Sequence, residues 1–201
     1  PLINSVNGKK ESLDAILPIA KKYGCVVLGL TLDENGIPET AEGRLAIAEK
    51  IIAAAEAIGI RRSNVLIDCL ALTVSAQQSQ AAETLKAVRM VKEQLGVKTV
   101  LGVSNISFGL PARPLVNRTM LAMALACGLD APIMNPGDEG MSETVAAFRV
   151  LTAKDRDSEN FIVRFSNHTE PTAAAKPGDA PDLFRSIARG LKNEAASATK
   201  D

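Results

Sequence analysis

Lys98-Thr99-Val100-Leu101-Gly102-Val103-Ser104-Asn105-Ile106-Ser107-Phe108-Gly109 is the stretch whose reading decides the fold. An apolar, β-branched run passes straight into small polar residues, which is how a buried parallel strand ends at a functional loop. In that reading Gly102 lets a ligand approach the backbone, and Asn105 offers an amide at the strand's carboxyl end. The same residues also suit a plain turn capped by Ser104 and Asn105.

The pattern repeats on both sides of this stretch. Leu2-Ile3 runs into Asn4, the apolar run 25–30 into Thr31 and Asp33, the run 64–67 into Asp68, and the run 131–134 into Asn135. Helical spacing falls between them, over residues 12–22, 40–58, 78–95, 115–127 and 142–154. Pro18 is expected to kink or shorten the first. Thr40 reads as the N-cap of the second, whose apolar face is Leu45, Ala48, Ile51, Ile52, Ala55 and Ile58. The 115–127 helix has small and apolar residues nearly all round, so burial on every side is expected. Pro132 fits a strand only near its start or at an edge.

Five strand–helix units in succession specify an α/β fold with a parallel sheet. Most spacings are near the ~31 residues per unit of a (β/α)8 TIM barrel. Five units fit either a doubly wound sheet or a barrel with three units missing before Pro1; the chain starts without Met, apparently in mid-strand, which favours the last five β/α units of such a barrel. Residues 166–181, rich in Pro and Ala, read as a linker, and residues 182–201 resume helical spacing.

Composition narrows the function classes. Lys+Arg and Asp+Glu both number 23, so no bulk field points to nucleic acid or an anionic membrane. Aromatic residues are 3% of the chain and Trp is absent, which argues against a base-stacking surface. Cys25, Cys69 and Cys127 have no metal-binding or redox spacing and read as small buried hydrophobes of a cytoplasmic protein. His168 is the only histidine, so a His-based metal site or catalytic triad has no partner. No apolar run reaches membrane-spanning length.

In a parallel barrel or open sheet, Asn4, Thr31 with Asp33, Asp68, Asn105 and Asn135 gather at the carboxyl edge, where ligands bind. The set offers amides and carboxylates but no glycine-rich phosphate loop. It suits a flat, neutral ligand rich in donors and acceptors. A carboxylate such as Asp68 can accept two parallel N–H bonds from an amino-pyrimidinone edge.

Five motifs carry a family resemblance: Ile3-Asn4-Ser5, Ile67-Asp68, Gly102-Val103-Ser104-Asn105-Ile106-Ser107, Asn117-Arg118-Thr119 and Ala126-Cys127-Gly128-Leu129-Asp130. The chain resembles the methyltetrahydrofolate-binding, pterin-binding barrels of cobalamin-dependent methyl transfer, from Pro1 to about Phe165. The resemblance implies the (β/α)8 barrel, entered here at about its fourth strand. It implies that Asn4, Asp68, Gly102, Ser104, Asn105 and Asn135 bind the pterin, with Asn105 beside N5, the nitrogen carrying the methyl group. It implies 5-methyltetrahydrofolate as substrate and cobalamin as methyl acceptor, on a corrinoid-binding domain or protein. On this reading residues 1–165 are the barrel portion and residues 182–201 begin a corrinoid-binding helical cap. Phe108 and the 166–201 tail resemble the methionine synthase branch, whereas Asn117-Arg118-Thr119 looks more like the corrinoid iron-sulfur protein methyltransferases. A non-catalytic pterin-binding fragment is the alternative of another class.

Overall fold

A computed structural model describes residues 1–166. The strands are β1 (Leu2–Asn7), β2 (Val26–Leu30), β3 (Val65–Asp68), β4 (Lys98–Gly102) and β5 (Ala131–Ile133). Helices α1 (Lys10–Tyr23), α2 (Ala41–Ala57), α3 (Gln80–Met90), α4 (Arg113–Ala126) and α5 (Glu139–Leu151) alternate with them. The strands form one parallel sheet in the order β1-β2-β3-β4-β5. This is an α/β fold of five successive β/α units on one parallel sheet, the arrangement of part of a TIM barrel.

Residues alternate between the two faces of the sheet. A Cβ added to Gly29 would meet Ile51 of α2 and Ile67 of β3, so Gly29 and Ile67 face the helices. Leu28 and Asp68, one position away, face the other side. The core lies on the helix side, where Val27, Ile67 and Leu101 pack with Leu17, Ile51, Val88 and Leu121. Cys25 and Cys69 are buried and Cys127 is half-buried, all as free thiols.

Local signals act largely as read. Thr40 Oγ1 accepts from Gly43 N at 3.2 Å and caps α2. Gly59 beyond α2 and Gly96 beyond α3 take positive φ, the left-handed turn that ends a helix. A π-turn at Val91–Leu95 finishes the α3 segment. Pro132 sits in an edge strand, where a missing N–H is tolerated.

Three expectations are corrected. Pro18 does not shorten α1, which runs through it from Lys10 to Tyr23; it lies on the exposed side, where water can satisfy the carbonyl its ring leaves unpaired. α4 is buried on one face only, through Asn117, Met120, Leu121 and Ala124, while Leu115 and Met123 are exposed. Ile58 belongs to the α2 cap and is exposed rather than on its apolar face. A short helix, α6 (Glu159–Phe165), follows in a separate unit, where Phe161 and Phe165 stack with centroids 4.5 Å apart. The linker and helix expected over 166–201 lie outside the described residues, apart from Ser166.

Candidate functional site

At the carboxyl end of the sheet a cleft of about 350 Å³ is lined by Asn4, Leu28, Asp68, Gly102, Ser104, Asn105, Ile133, Met134 and Asn135. All six residues that the family resemblance assigns to the ligand line it, and they come from β1, β3, β4 and the loops after β4 and β5. Leu28, Ile133 and Met134 supply apolar surface that the search for polar strand ends passed over.

Asp68 is the buried member. Its Oδ1 accepts the Leu70 N–H at 2.8 Å, and its backbone carbonyl accepts from the Thr31 N–H and hydroxyl. Burial pushes its carboxyl up to about 6, opposed by the Leu70 N–H. A carboxylate with one bond made retains acceptor sites on both oxygens. Asn4, Asn105 and Asn135 are exposed. Asn135 Oδ1 accepts from Gly137 N at 3.0 Å, which leaves its NH2 group to point elsewhere.

Asn105 sits in the helical turn Val103–Ser107 directly after β4. A Cβ on Gly102 would come within 3.0 Å of its Nδ2. The glycine therefore makes room for the Asn105 amide, a different reason from the ligand approach read in the sequence. Among the described residues the Asn105 side chain accepts or donates no hydrogen bond, so its amide is available to a ligand.

The turn is held from outside. Arg113 donates to Ser107 Oγ at 3.0 Å and to the Ser104 carbonyl at 3.2 Å, and its guanidinium lies 4.4 Å from the Phe108 ring centre. Thr73 and Ser75, in the loop after β3, both donate to the Phe108 carbonyl at 2.7 Å, and Val74 N donates to the Ile106 carbonyl. The loops carrying Asp68 and Asn105 are thus tied together.

Thr31 and Asp33 do not join the cleft. Thr31 is fully buried, spent on the Asp68 carbonyl, and Asp33 Oδ1 caps its own turn by accepting from Asn35 N. Sequence reading also missed Arg44. It stands four residues before Ala48, in register with the apolar face of α2, and a cation at such a position is the signal. Among the described residues no group of His, Cys, Asp and Glu could hold a metal ion, and no helix is long and apolar enough to cross a membrane.

Comparison with known proteins agrees with this geometry. The family model described as "Pterin binding enzyme" matches residues 1–135. The methionine synthase of Mycobacterium leprae is 35% identical over 147 residues, 67% of this chain and 12% of that protein. The methionine synthase of Mycobacterium tuberculosis is 35% identical over 146 residues, 66% of this chain and 12% of that protein. The methylcorrinoid:tetrahydrofolate methyltransferase of Eubacterium limosum is 27% identical over 158 residues, 77% of this chain and 58% of that protein. The chain thus spans about an eighth of the methionine synthases and under two thirds of the corrinoid relative. With its parallel strands ending in a cleft of amides around one buried carboxylate, and with two thirds of its length matched by the family model, this chain belongs to the pterin binding enzymes.

Proposed function

We propose that the cleft binds 5-methyltetrahydrofolate and serves transfer of its N5 methyl group to cob(I)alamin, as the folate portion of a cobalamin-dependent methionine synthase. The observation that carries this reading is the pairing of one buried carboxylate, Asp68, with an uncommitted amide, Asn105, on the same cleft wall. Asp68 accepts the parallel N–H groups of the pterin's amino-pyrimidinone edge beside its bond to Leu70. Asn4 and Asn135 supply further amides to the ring's polar rim, and Leu28, Ile133 and Met134 cover its faces.

Asn105 serves the reacting nitrogen. A tertiary amine leaves poorly until it gains a proton or an equivalent hydrogen bond. The amide NH2 donates to neutral N5, and the amide oxygen, after reorientation, accepts from N5–H+. The bond from N5 to the methyl carbon breaks with its electron pair left on N5 while the methyl carbon bonds to the acceptor nucleophile, and the proton that N5 took up from solvent stays as N5–H of the product. A bond that strengthens along this path lowers the barrier rather than merely tightening substrate binding. The reduced corrinoid supplies the nucleophile. The cleft's volume suits a bicyclic ring, so we place the macrocycle on another domain or protein. We assign residues 1–165 to the folate-binding portion, 166–181 to a linker and 182–201 to the start of the corrinoid-binding cap.

A second reading of the same site has its own support. The name of the Eubacterium limosum relative puts a methylcorrinoid on the donor side and tetrahydrofolate on the acceptor side. Run in reverse, the same amide holds N5 as it receives the methyl group.

The test is calorimetric titration with 5-methyltetrahydrofolate, followed by single-turnover methyl transfer to cob(I)alamin and from methylcobalamin. We expect saturable one-site binding that Asp68→Ala abolishes, and transfer in at least one direction. Binding without transfer in either direction would reduce the cleft to a pterin-binding module. No binding would sink the reading.

A further inference from the structure

Arg44 is fully buried in α2, yet among the described residues no carboxylate receives its guanidinium directly. Five acceptors surround it instead. Nε donates to the Pro38 carbonyl at 3.0 Å, and Nη2 donates to Gln80 Oε1. Nη1 donates to the Cys69 and Leu70 carbonyls, both at 3.1 Å, and to Thr84 Oγ1 at 2.8 Å. Burying a guanidinium is costly, and a core built only for stability would fill this place with an apolar side chain.

The bonds to residues 69 and 70 show what the arginine holds. Leu70 has φ 58°, a left-handed conformation that a leucine rarely adopts. Its carbonyl is gripped by Arg44 and also accepts from Thr84 Oγ1 at 3.2 Å. In that conformation its N–H points back onto Asp68 Oδ1. The chain of contact runs from guanidinium to Leu70 carbonyl, through the strained residue, to the carboxylate in the cleft.

We propose that Arg44 is a positioning residue for Asp68, holding Leu70 in the turn whose N–H fixes the carboxylate for its ligand. The proposal rests on the pterin reading of the cleft for the ligand's identity but not for the contact itself. Arg44 acts through the backbone. What opposes the burial of Asp68 is the Leu70 N–H, not the guanidinium's charge. The other charged or titratable groups at this junction are few. The Cys69 thiol is pushed up to about 12 by burial and stays neutral, and the Glu83 carboxylate, which accepts from Ala41 N at 2.7 Å, is the acid whose charge favours the Arg44 cation.

The test uses Arg44→Met, with Arg44→Lys as a milder companion that keeps the charge and loses the planar fork. Asp68 titration is read by carbon NMR of the carboxyl, and binding by calorimetry with 5-methyltetrahydrofolate, both on the folded fraction of the whole chain. Losing the Leu70 N–H should move the Asp68 midpoint upward by about one pH unit in Arg44→Met, and by less in Arg44→Lys. Pterin affinity should fall about tenfold alongside it. A purely structural arginine would lower the melting temperature of both variants and leave the Asp68 midpoint where it is, and that result overturns the proposal. A shifted midpoint with unchanged pterin affinity upholds the positioning of Asp68 and tells instead against Asp68 as the pterin's contact, while no pterin binding by the parent chain would overturn the pterin reading alone.

Discussion

On the helix-covered face of the sheet, Val27, Val65, Ile67 and Leu101 are fully buried. On the opposite face Leu2 and Ile133 are each about half exposed, and Asn4, Asn105 and Asn135 stand open at the carboxyl edge. The same strands, one residue out of step, build both. The difference teaches that stability and chemistry are separated by the pleat. The helix face holds the chain together, and the open face holds a ligand. Asp68 belongs to the open face yet is buried like the core, as are its neighbours Leu28 and Val100 on that face, and it is the charged member of the three.

The largest effect should come from the helix face. Ile67→Ala removes a fully buried side chain packed beside Gly29 and Ile51 and should cost about 2–5 kcal/mol. Denaturant unfolding would measure this, and the folded fraction should bind pterin as before. A change in affinity with little change in stability would break the separation of the faces.

Next comes the open face. Asn105→Ala should slow methyl transfer on the order of 10²-fold or more, in the range lost with a proton-transfer or charge-stabilising group. Unfolding should hardly register it, because the side chain is exposed and uncommitted. Single-turnover rates at saturating methyltetrahydrofolate separate this from weaker binding. A variant that transfers at the parental rate once saturated would leave Asn105 a turn residue.

Asp68→Asn should sharpen the comparison by moving binding and stability in opposite directions. Affinity should fall by about 1.5–3 kcal/mol, since a charged acceptor is lost. The amide oxygen can still accept from Leu70 N, so the turn survives. The folded carboxyl titrates near 6, above the usual value of 3.8. Between those values the native state holds more protons than the unfolded chain, so this group lowers stability as pH rises from about 4 to 6, and by a constant amount above. The cost is on the order of 3 kcal/mol at most. Melting followed from pH 4 to 8 should show that decline in the parent and its loss in Asp68→Asn.

Ile133→Ser should do least. A half-exposed side chain on the open edge contributes little burial, and stability should change by under about 0.5 kcal/mol. A larger loss would mean that the open face carries packing of its own.

Much of this was legible in the sequence, and the boundary is physical. Strand ends are read well because a parallel strand must change from apolar to polar where it leaves the sheet, and this places Asp68, Asn105 and Asn135 on one edge; Asn4, read as a strand end, instead lies within β1, which runs on to Asn7, and reaches the cleft from inside the strand. Helix burial is read less well. The apolar residues of α4 do not reveal that Leu115 and Met123 face outward, because composition alone does not give orientation. Pro18 misleads because the rule against proline presumes a buried carbonyl. The role of Gly102 depends on where the Asn105 side chain folds back, a contact between residues three apart that spacing does not specify. Arg44 is hidden for a deeper reason. Its partners lie at residues 38, 69, 70, 80 and 84, and only the packing of α2 on α3 brings them together.

The sheet order has a further consequence. Among the described strands spatial order follows chain order, so each pairs only with its neighbours in the sequence. Each new strand–helix unit therefore meets its docking edge as soon as the preceding unit is formed. Assembly of the five described strands can proceed vectorially during synthesis, none of them waiting for a distant partner within that set. Parallel sheets usually fold slowly because loops must close before pairing rewards them, and consecutive pairing keeps every such loop to one unit.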